Sequence, residues 1–215
     1  MIHHDYEQGS EQWLAVRKGC ITGSRFKDCR DKLKSGDPSK ACTAYAQDTA
    51  RERVGGNAPA KFQNAAMRTG TKQEPLARLA YERRTGNLVE EVGFFTTEDG
   101  LFGLSPDGLI DDDGVLEIKT MVSSDTLFTA VADGDVSAYM DQCMGYLWLL
   151  GRQWVDLVLW VPDLNHMVIK RITRDENAIE ALEADLIAFA RMVKSYEDTL
   201  RAALVSNDEQ AQQAA

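Results

Sequence analysis

The stretch Ser105-Pro106-Asp107-Gly108-Leu109 is followed, ten residues after the aspartate, by Glu117-Ile118-Lys119 inside the apolar run Gly114–Val122. Asp111-Asp112-Asp113-Gly114 lies between them and reads as a tight turn in which the glycine supplies a positive φ. If residues 101–110 and 115–121 pair as a hairpin, Asp107 and Glu117 point at one locus. Glu117 and Lys119 then share a strand face, because side chains alternate along a strand. Two carboxylates and an ammonium would converge. Hard divalent cations take oxygen ligands, and magnesium is held by one or two carboxylates together with phosphate and water. The same spacing also describes a plain acidic turn with a surface Glu–Lys pair. Two features argue against that: the pair sits among apolar neighbours, where charge needs a partner or a metal, and Asp107 occupies a rigid Pro-Asp-Gly corner.

Working outward, the chain from residue 88 is rich in short β-type runs: LVEEVGFF, LFGLS, GVLEIKTMV, WVDLVLWV and HMVIKRI. Residues 88–121 read as a β-meander, and helical segments are expected at about 124–133 and 136–150. Upstream, helices are expected at 10–18 with Ser10 as cap, at about 24–33, and at about 40–54 closed by Gly55-Gly56. Proline is tolerated near a helix start, so Pro75 places the start of the next helix near Thr71, with Glu74 in its first turn and Gly86 at its end. A last helix at about 175–204 repeats Ile179, Leu182, Leu186, Phe189, Val193, Tyr196, Leu200 and Leu204 at helical spacing and should cover the sheet. The expected architecture is α/β, a central mixed sheet flanked by helices, in one domain over residues 1–204 with a disordered tail at 205–215.

Among the 215 residues, 44% are apolar and the net charge is −10. That sign is wrong for a protein that neutralises phosphates along its whole surface. The total conceals an asymmetry, because residues 1–86 hold 16 Lys and Arg against 10 Asp and Glu, while the remainder holds 8 against 24. A basic surface confined to one region suits a polyanion held in a channel. No apolar run reaches the roughly 18 to 20 residues of a membrane span, and the N-terminal residues lack a secretory pattern, so an intracellular, soluble protein is expected. Cys20, Cys29, Cys42 and Cys143 form no C-x-x-C pair and stand beside no histidine at ligand spacing, which argues against structural zinc.

SPDGL followed by LEIKT resembles the core of the PD-(D/E)XK nucleases, and in particular of the lambda-exonuclease branch of phage-type alkaline exonucleases and viral recombinases. Three further elements agree in order across residues 13–150. Trp13-Leu14-Ala15-Val16-Arg17-x-Gly19-x-Ile21-Thr22-x-Ser24 resembles the family's W-x3-R-x-G-x-I-T-A-S element, with Gly23 in place of alanine. Gly70-x3-Glu74 matches its G-x3-E element, and Tyr139-Met140-x-Gln142-x3-Tyr146 its tyrosine–glutamine helix.

The resemblance implies roles for individual residues. Asp107, Glu117 and the backbone carbonyl of Ile118 would hold Mg2+, two ions in all, with Mn2+ able to substitute. Lys119 would position the attacking water, Gln142 would lie beside it, and Glu74 would join the metal region directly or through water. Read alone, Thr71-x-x-Glu74 is equally a capping box. Arg17, Ser24 and Ser105 would bind the 5′ phosphate of the strand being degraded, and Met67 would split the terminal base pair. The implied activity is 5′→3′ digestion of linear double-stranded DNA to mononucleotides, leaving a 3′ single-stranded overhang for annealing recombination. A homotrimeric ring, a single-strand annealing protein as partner and a phage or prophage gene expressed in the bacterial cytoplasm follow from the same resemblance. The alternatives are a restriction- or repair-type endonuclease, which would need no pocket at Arg17 and Ser24, and a non-catalytic binder of DNA ends, which would be expected to have lost a ligand or the lysine.

Overall fold

The computed structural model describes residues 1–59 and 65–213, with side chains for 1–59 and 68–206. In chain order the elements are β1 (Ile2–His4), α1 (Glu11–Arg17), β2 (Ile21–Thr22), α2 (Phe26–Cys29), α3 (Lys40–Arg53) and α4 (Ala65–Thr85). They continue with β3 (Phe94–Thr96), β4 (Phe102–Leu104), β5 (Gly108–Ile110), β6 (Gly114–Thr120), α5 (Ser124–Leu127) and α6 (Ser137–Leu150), then β7 (Trp154–Val161), β8 (His166–Thr173) and α7 (Glu176–Gln213).

The expected hairpin forms: β5 and β6 pair antiparallel, with Gly108 opposite Leu116 and Ile110 opposite Gly114. The positive φ of the acidic turn falls on Asp111, at 44°, and not on the glycine. Gly114 is required for a different reason, since a Cβ there would lie 2.3 Å from the Trp154 ring. β7 lies parallel to β6 along its whole length, from Gly114 opposite Trp154 to Thr120 opposite Trp160. A parallel pair needs a long crossover, and α5, a π-turn at Phe128–Ala132 and α6 supply it. β8 closes this sheet in the order β5-β6-β7-β8.

The remaining strands form a second four-stranded sheet, β1-β3-β4-β2, in which β2 runs parallel to β4 and the other pairs are antiparallel. The single central sheet expected from the sequence is thus divided in two. Ser105-Pro106-Asp107 separates β4 from β5, and Pro106 has no N–H to give to a continuing ladder.

Three helical expectations need correction. The segment after Gly23 is a 3-10 turn (Gly23–Arg25) and one turn of α-helix ending at Cys29, much shorter than 24–33, because Lys32 forms a bridge with Pro38. α4 begins at Ala65, so Pro75 lies inside it and Glu74 is well past its first turn, which removes the capping-box role. The lost hydrogen bond is offset by packing, since Ala77 and Tyr81 on α4 are fully buried against Leu116, Ile118 and Val158. α7 also continues beyond Leu204 to Gln213, through Glu, Gln and Ala that favour helix and with no proline or glycine to stop it. Ser10 caps α1 as expected, accepting the N–H of Trp13, and Ser39 caps α3, accepting that of Cys42.

β6 is therefore covered on both faces. Leu116 and Ile118 meet α4, while the main core joins Tyr45 of α3, Leu147 of α6 and Leu182, Leu186 and Phe189 of α7 to Val115 and Val155. The four cysteines are free and buried within it or beside it. α2 presses on α6 at Gly145, where a Cβ would lie 2.4 Å from the ring of fully buried Phe26. Gly145→Ala should destabilise the protein by about 1–3 kcal/mol through overpacking, although alanine is the better helix former. A urea midpoint equal to or above wild type would contradict this packing.

Candidate active site

Glu117, in the middle of β6, is 3% exposed, so its carboxylate needs compensation from neighbours. Lys119 is next on the same strand face, and its Nζ lies 2.7 Å from Glu117 Oε1. α6 brings two more groups at i and i+4. Gln142 Nε2 donates to Glu117 Oε1 at 2.9 Å, and Tyr146 Oη donates to Oε2 at 2.6 Å. Gln142 is fully engaged, as its Oε1 accepts from Lys119 Nζ at 3.0 Å and its Nε2 also donates to Tyr146 Oη at 2.7 Å. The Tyr139 ring, one turn earlier on α6, lies 5.6 Å from Lys119 Nζ. Burial lowers the affinity of Lys119 for its proton, but Glu117 and then Asp107 outweigh it and hold the ammonium charged.

Asp107 sits in the corner that follows β4. Its N–H donates to Leu116 O at 3.1 Å and its Oδ2 accepts the Ile118 N–H at 2.6 Å, so both ends of the residue are fixed to β6. Burial, then the charges of Glu117 and Glu74, push its pKa well above the ordinary 3.8. Glu74 is shifted up as well, by burial against the opposing pull of Arg78, with Glu117 adding to the rise. Three carboxylates therefore repel one another across one centre. Arg78, one turn along α4, bonds Glu74 Oε1 at 2.8 Å and Glu91 Oε1 at 2.5 Å, and its Nε is buried without a partner among the described residues. Arg78 and Tyr146 were not assigned roles from the sequence; the i, i+4 spacing from Glu74 and from Gln142 was the available signal.

Among the described residues no three acidic, histidine or cysteine side chains already form a metal cage. The donor set still fits a hard divalent cation: two oxygen-bearing side chains on fixed backbone, mutually repelling and in need of positive charge, with further positions left to water and phosphate. Ile118 contributes its N–H to Asp107, and its side chain belongs to the core on the α4 side.

A second site lies between α1, the turn after β2 and α3. Arg17, Thr22, Ser24, Arg25 and Tyr45 line a cleft of about 690 Å³. Arg17 Nη2 donates to Thr22 Oγ1 at 3.3 Å, and its guanidinium lies 5.0 Å from the Trp13 ring centroid. No carboxylate among the described residues forms an ion pair with it. The turn that carries Arg17 into β2 is clamped at Gly19, φ 78°, by α3: Glu52 Oε2 accepts its N–H at 2.9 Å and Arg53 Nε donates to its carbonyl at 2.8 Å. Arg17 and Ser24 thus share the cleft. Ser105 does not line it, and its hydroxyl donates to Gly93 O at 3.1 Å. Met67 falls outside the described side chains.

The architecture, mixed sheets flanked by helices with an acidic hairpin and a lysine on the central strand, is that of the PD-(D/E)XK nucleases. Residues 12–153 match the YqaJ-like viral recombinase domain, and the chain belongs to that family. Among solved structures it is similar to an alkaline exonuclease, LHK-Exo, from Laribacter hongkongensis, at 32% identity and a TM-score of 0.78, covering 92% of this chain and 99% of that one. The same exonuclease in complex with dAMP matches at a TM-score of 0.79 over the same shares. A phage-related exonuclease from Haemophilus somnus 129PT shares the fold, at 17% identity and a TM-score of 0.66, with 86% of this chain and 96% of that one covered. No curated protein sequence gives a significant match. The chain is homologous to alkaline exonucleases.

The acidic centre makes a prediction about stability. A carboxyl with a raised folded pKa favours folding at pH values below its ordinary value and loses that contribution as pH rises through the folded one. Asp107→Asn keeps an acceptor for the Ile118 N–H and removes the charge. In EDTA it should melt above wild type at pH 8, with the gap closing toward pH 4, and added Mg2+ is expected to raise the Tm of wild type but not of the variant. A wild-type-like response to Mg2+ would remove Asp107 from the ligand set.

Proposed function

We propose that the protein is a Mg2+-dependent 5′→3′ exonuclease acting on linear double-stranded DNA, releasing mononucleotides and leaving a 3′ single-stranded overhang. The observation that carries this reading is the closed constellation of Glu117, Lys119 and Gln142 beside Asp107, which is fixed to β6 by its own N–H and carboxylate. Asp107, Glu117 and the Ile118 carbonyl would hold the metal, with Glu74 acting through water because one of its oxygens is engaged by Arg78. When bound, the ion supplies positive charge that polarises the scissile phosphate and acidifies a water. Lys119 remains protonated and donates to the attacking water, and Gln142 fixes the direction of that donation. Tyr146 fixes the orientation of the Glu117 carboxylate through its hydrogen bond to Oε2.

Arg17 and Ser24 in the cleft would take the 5′ phosphate, guanidinium and hydroxyl being suited to charge-assisted bonds with phosphate oxygens. The homologue bound to dAMP holds a mononucleotide, the product class of this reading. A ring of three chains would keep the duplex threaded, and a single-strand annealing protein would receive the overhang. Membership of a viral recombinase family supports phage or prophage origin and action in the bacterial cytoplasm, and no helix of the described residues is long and apolar enough to cross a membrane.

The decisive assay is digestion of linear duplex labelled at one 5′ or one 3′ end, beside closed circular duplex, in Mg2+ and in EDTA. Metal-dependent release of the 5′ label as mononucleotide with the circle intact is expected, and cutting of the circle would overturn the exonuclease reading. Lys119→Ala should lower kcat by about 10²–10³, the usual cost of one aimed donor, while duplex binding survives. Arg17→Ala should reduce the preference for 5′-phosphorylated over 5′-hydroxyl ends about tenfold, as expected for a lost charged hydrogen bond. Light scattering at working concentration should return the mass of three chains, and a monomer would remove the ring.

A further inference from the structure

A guanidinium offers five N–H donors in a rigid fork, and the arginines of this fold are mostly consumed by it. Arg30 bonds both Asp141 and Asp185, and Arg171 grips Asp156 with two bonds. The two arginines that line the cleft are different. Arg17 commits one donor, to Thr22, and Arg25 commits its Nε to Asp28. Among the described residues both Nη groups of Arg25 lack a protein partner.

Arg25 is nevertheless held in place. Its guanidinium carbon lies 3.8 Å from the centroid of the Tyr45 ring, and its side chain is 23% exposed. Tyr45 is itself buried and anchored, because its hydroxyl accepts the Thr22 N–H at 2.9 Å. Thr22 in turn receives Arg17 at its own hydroxyl. One tyrosine thus ties two open guanidinium forks to a single cleft, with the exposed Ser24 on the turn between them. Asp48 and Glu52 also line the cleft and oppose a loosely placed anion, so occupancy depends on the forks.

A terminal phosphomonoester carries three free oxygens and close to two charges, whereas an internal diester has two free oxygens and one charge. Two forks and a hydroxyl match the monoester. We propose that Arg25, stacked on Tyr45, is the second guanidinium of the end-phosphate site and discriminates a 5′ phosphomonoester from a 5′ hydroxyl. The assignment rests on the reading of Arg17 and Ser24 as end-phosphate contacts.

The test compares kcat/KM on linear duplexes bearing 5′ phosphate or 5′ hydroxyl for wild type, Arg17→Ala, Arg25→Ala, Arg25→Lys and Arg25→Gln, with thermal melts of each. Arg25→Ala is expected to lower the phosphate-to-hydroxyl ratio at least fivefold, chiefly through KM. Arg25→Lys should restore part of it, because an ammonium keeps the charge without the fork. A wild-type ratio in Arg25→Ala, with a reduced one in Arg17→Ala, overturns the role of Arg25 and leaves the pocket standing. An unchanged ratio in Arg17→Ala, or a wild-type enzyme indifferent to the end group, overturns the pocket itself and Arg25 with it. Should Arg25→Ala melt early, the ratio in Arg25→Gln decides in the same way.

Discussion

A carboxylate buried in a central strand must be compensated on the spot, and the compensation of Glu117 dictates how α6 lies on the sheet. Lys119 alone would neutralise its charge but leave lone pairs unsatisfied. Gln142 and Tyr146, one turn apart on α6, fill them. For both to reach, α6 must cross β6 at one height and one rotation, which in turn sets the crossover that makes β7 parallel to β6. The polar centre and the fold are specified by the same contacts. Such a network is stable only when every member is satisfied, so each of the four side chains constrains the other three.

The cleft depends on the same helix. The turn bearing Ser24 and Arg25 continues into α2, and α2 rests on α6 through Phe26 against Gly145, while a Cβ on Gly23 would lie 2.8 Å from Leu104. The glycine that departs from the family's usual alanine lets this turn settle closely onto Leu104 and Tyr146. Arg30 adds a polar tie from the end of α2 to Asp141, the neighbour of Gln142. Through α2 the turn bearing Arg25 is packed onto α6, the helix that carries Gln142 and Tyr146, so the spacing between the cleft and the acidic centre is set by packed side chains and not by a flexible linker.

The hairpin and its acidic residues were legible because strand alternation and a Pro-Asp-Gly corner are local properties. The meeting of Gln142 with Lys119 is a tertiary fact that helical spacing cannot state; it came from the resemblance alone. Pro75 misled because its local penalty was read without the burial of Ala77 and Tyr81 that offsets it. The division of the sheet followed from Pro106, whose effect on the ladder was present in the sequence but was read only as rigidity. Ser105 lies beside the metal corner, and the side-chain rotation that sends its hydroxyl to Gly93 has no sequence signal. The basic surplus of residues 1–86 was real, yet part of it is neutralised within the fold, since Arg30 and Lys32 pair with Asp185 and Asp141 from the acidic portion.

The clamp on Gly19 separates the two sites in their resistance to opening. The turn holding Arg17 rests on the small cluster of Trp13, Cys20 and Phe94 and is fastened by Gly19 hydrogen bonds to the Glu52 and Arg53 side chains, while Glu117 lies in a ladder flanked on both faces by the larger core. Local opening begins where few apolar contacts would be broken. As denaturant rises, the amide of Gly19 should therefore exchange with solvent well before those of β6. Over that interval the acidic centre would stay intact while the cleft that holds Arg17 had already loosened.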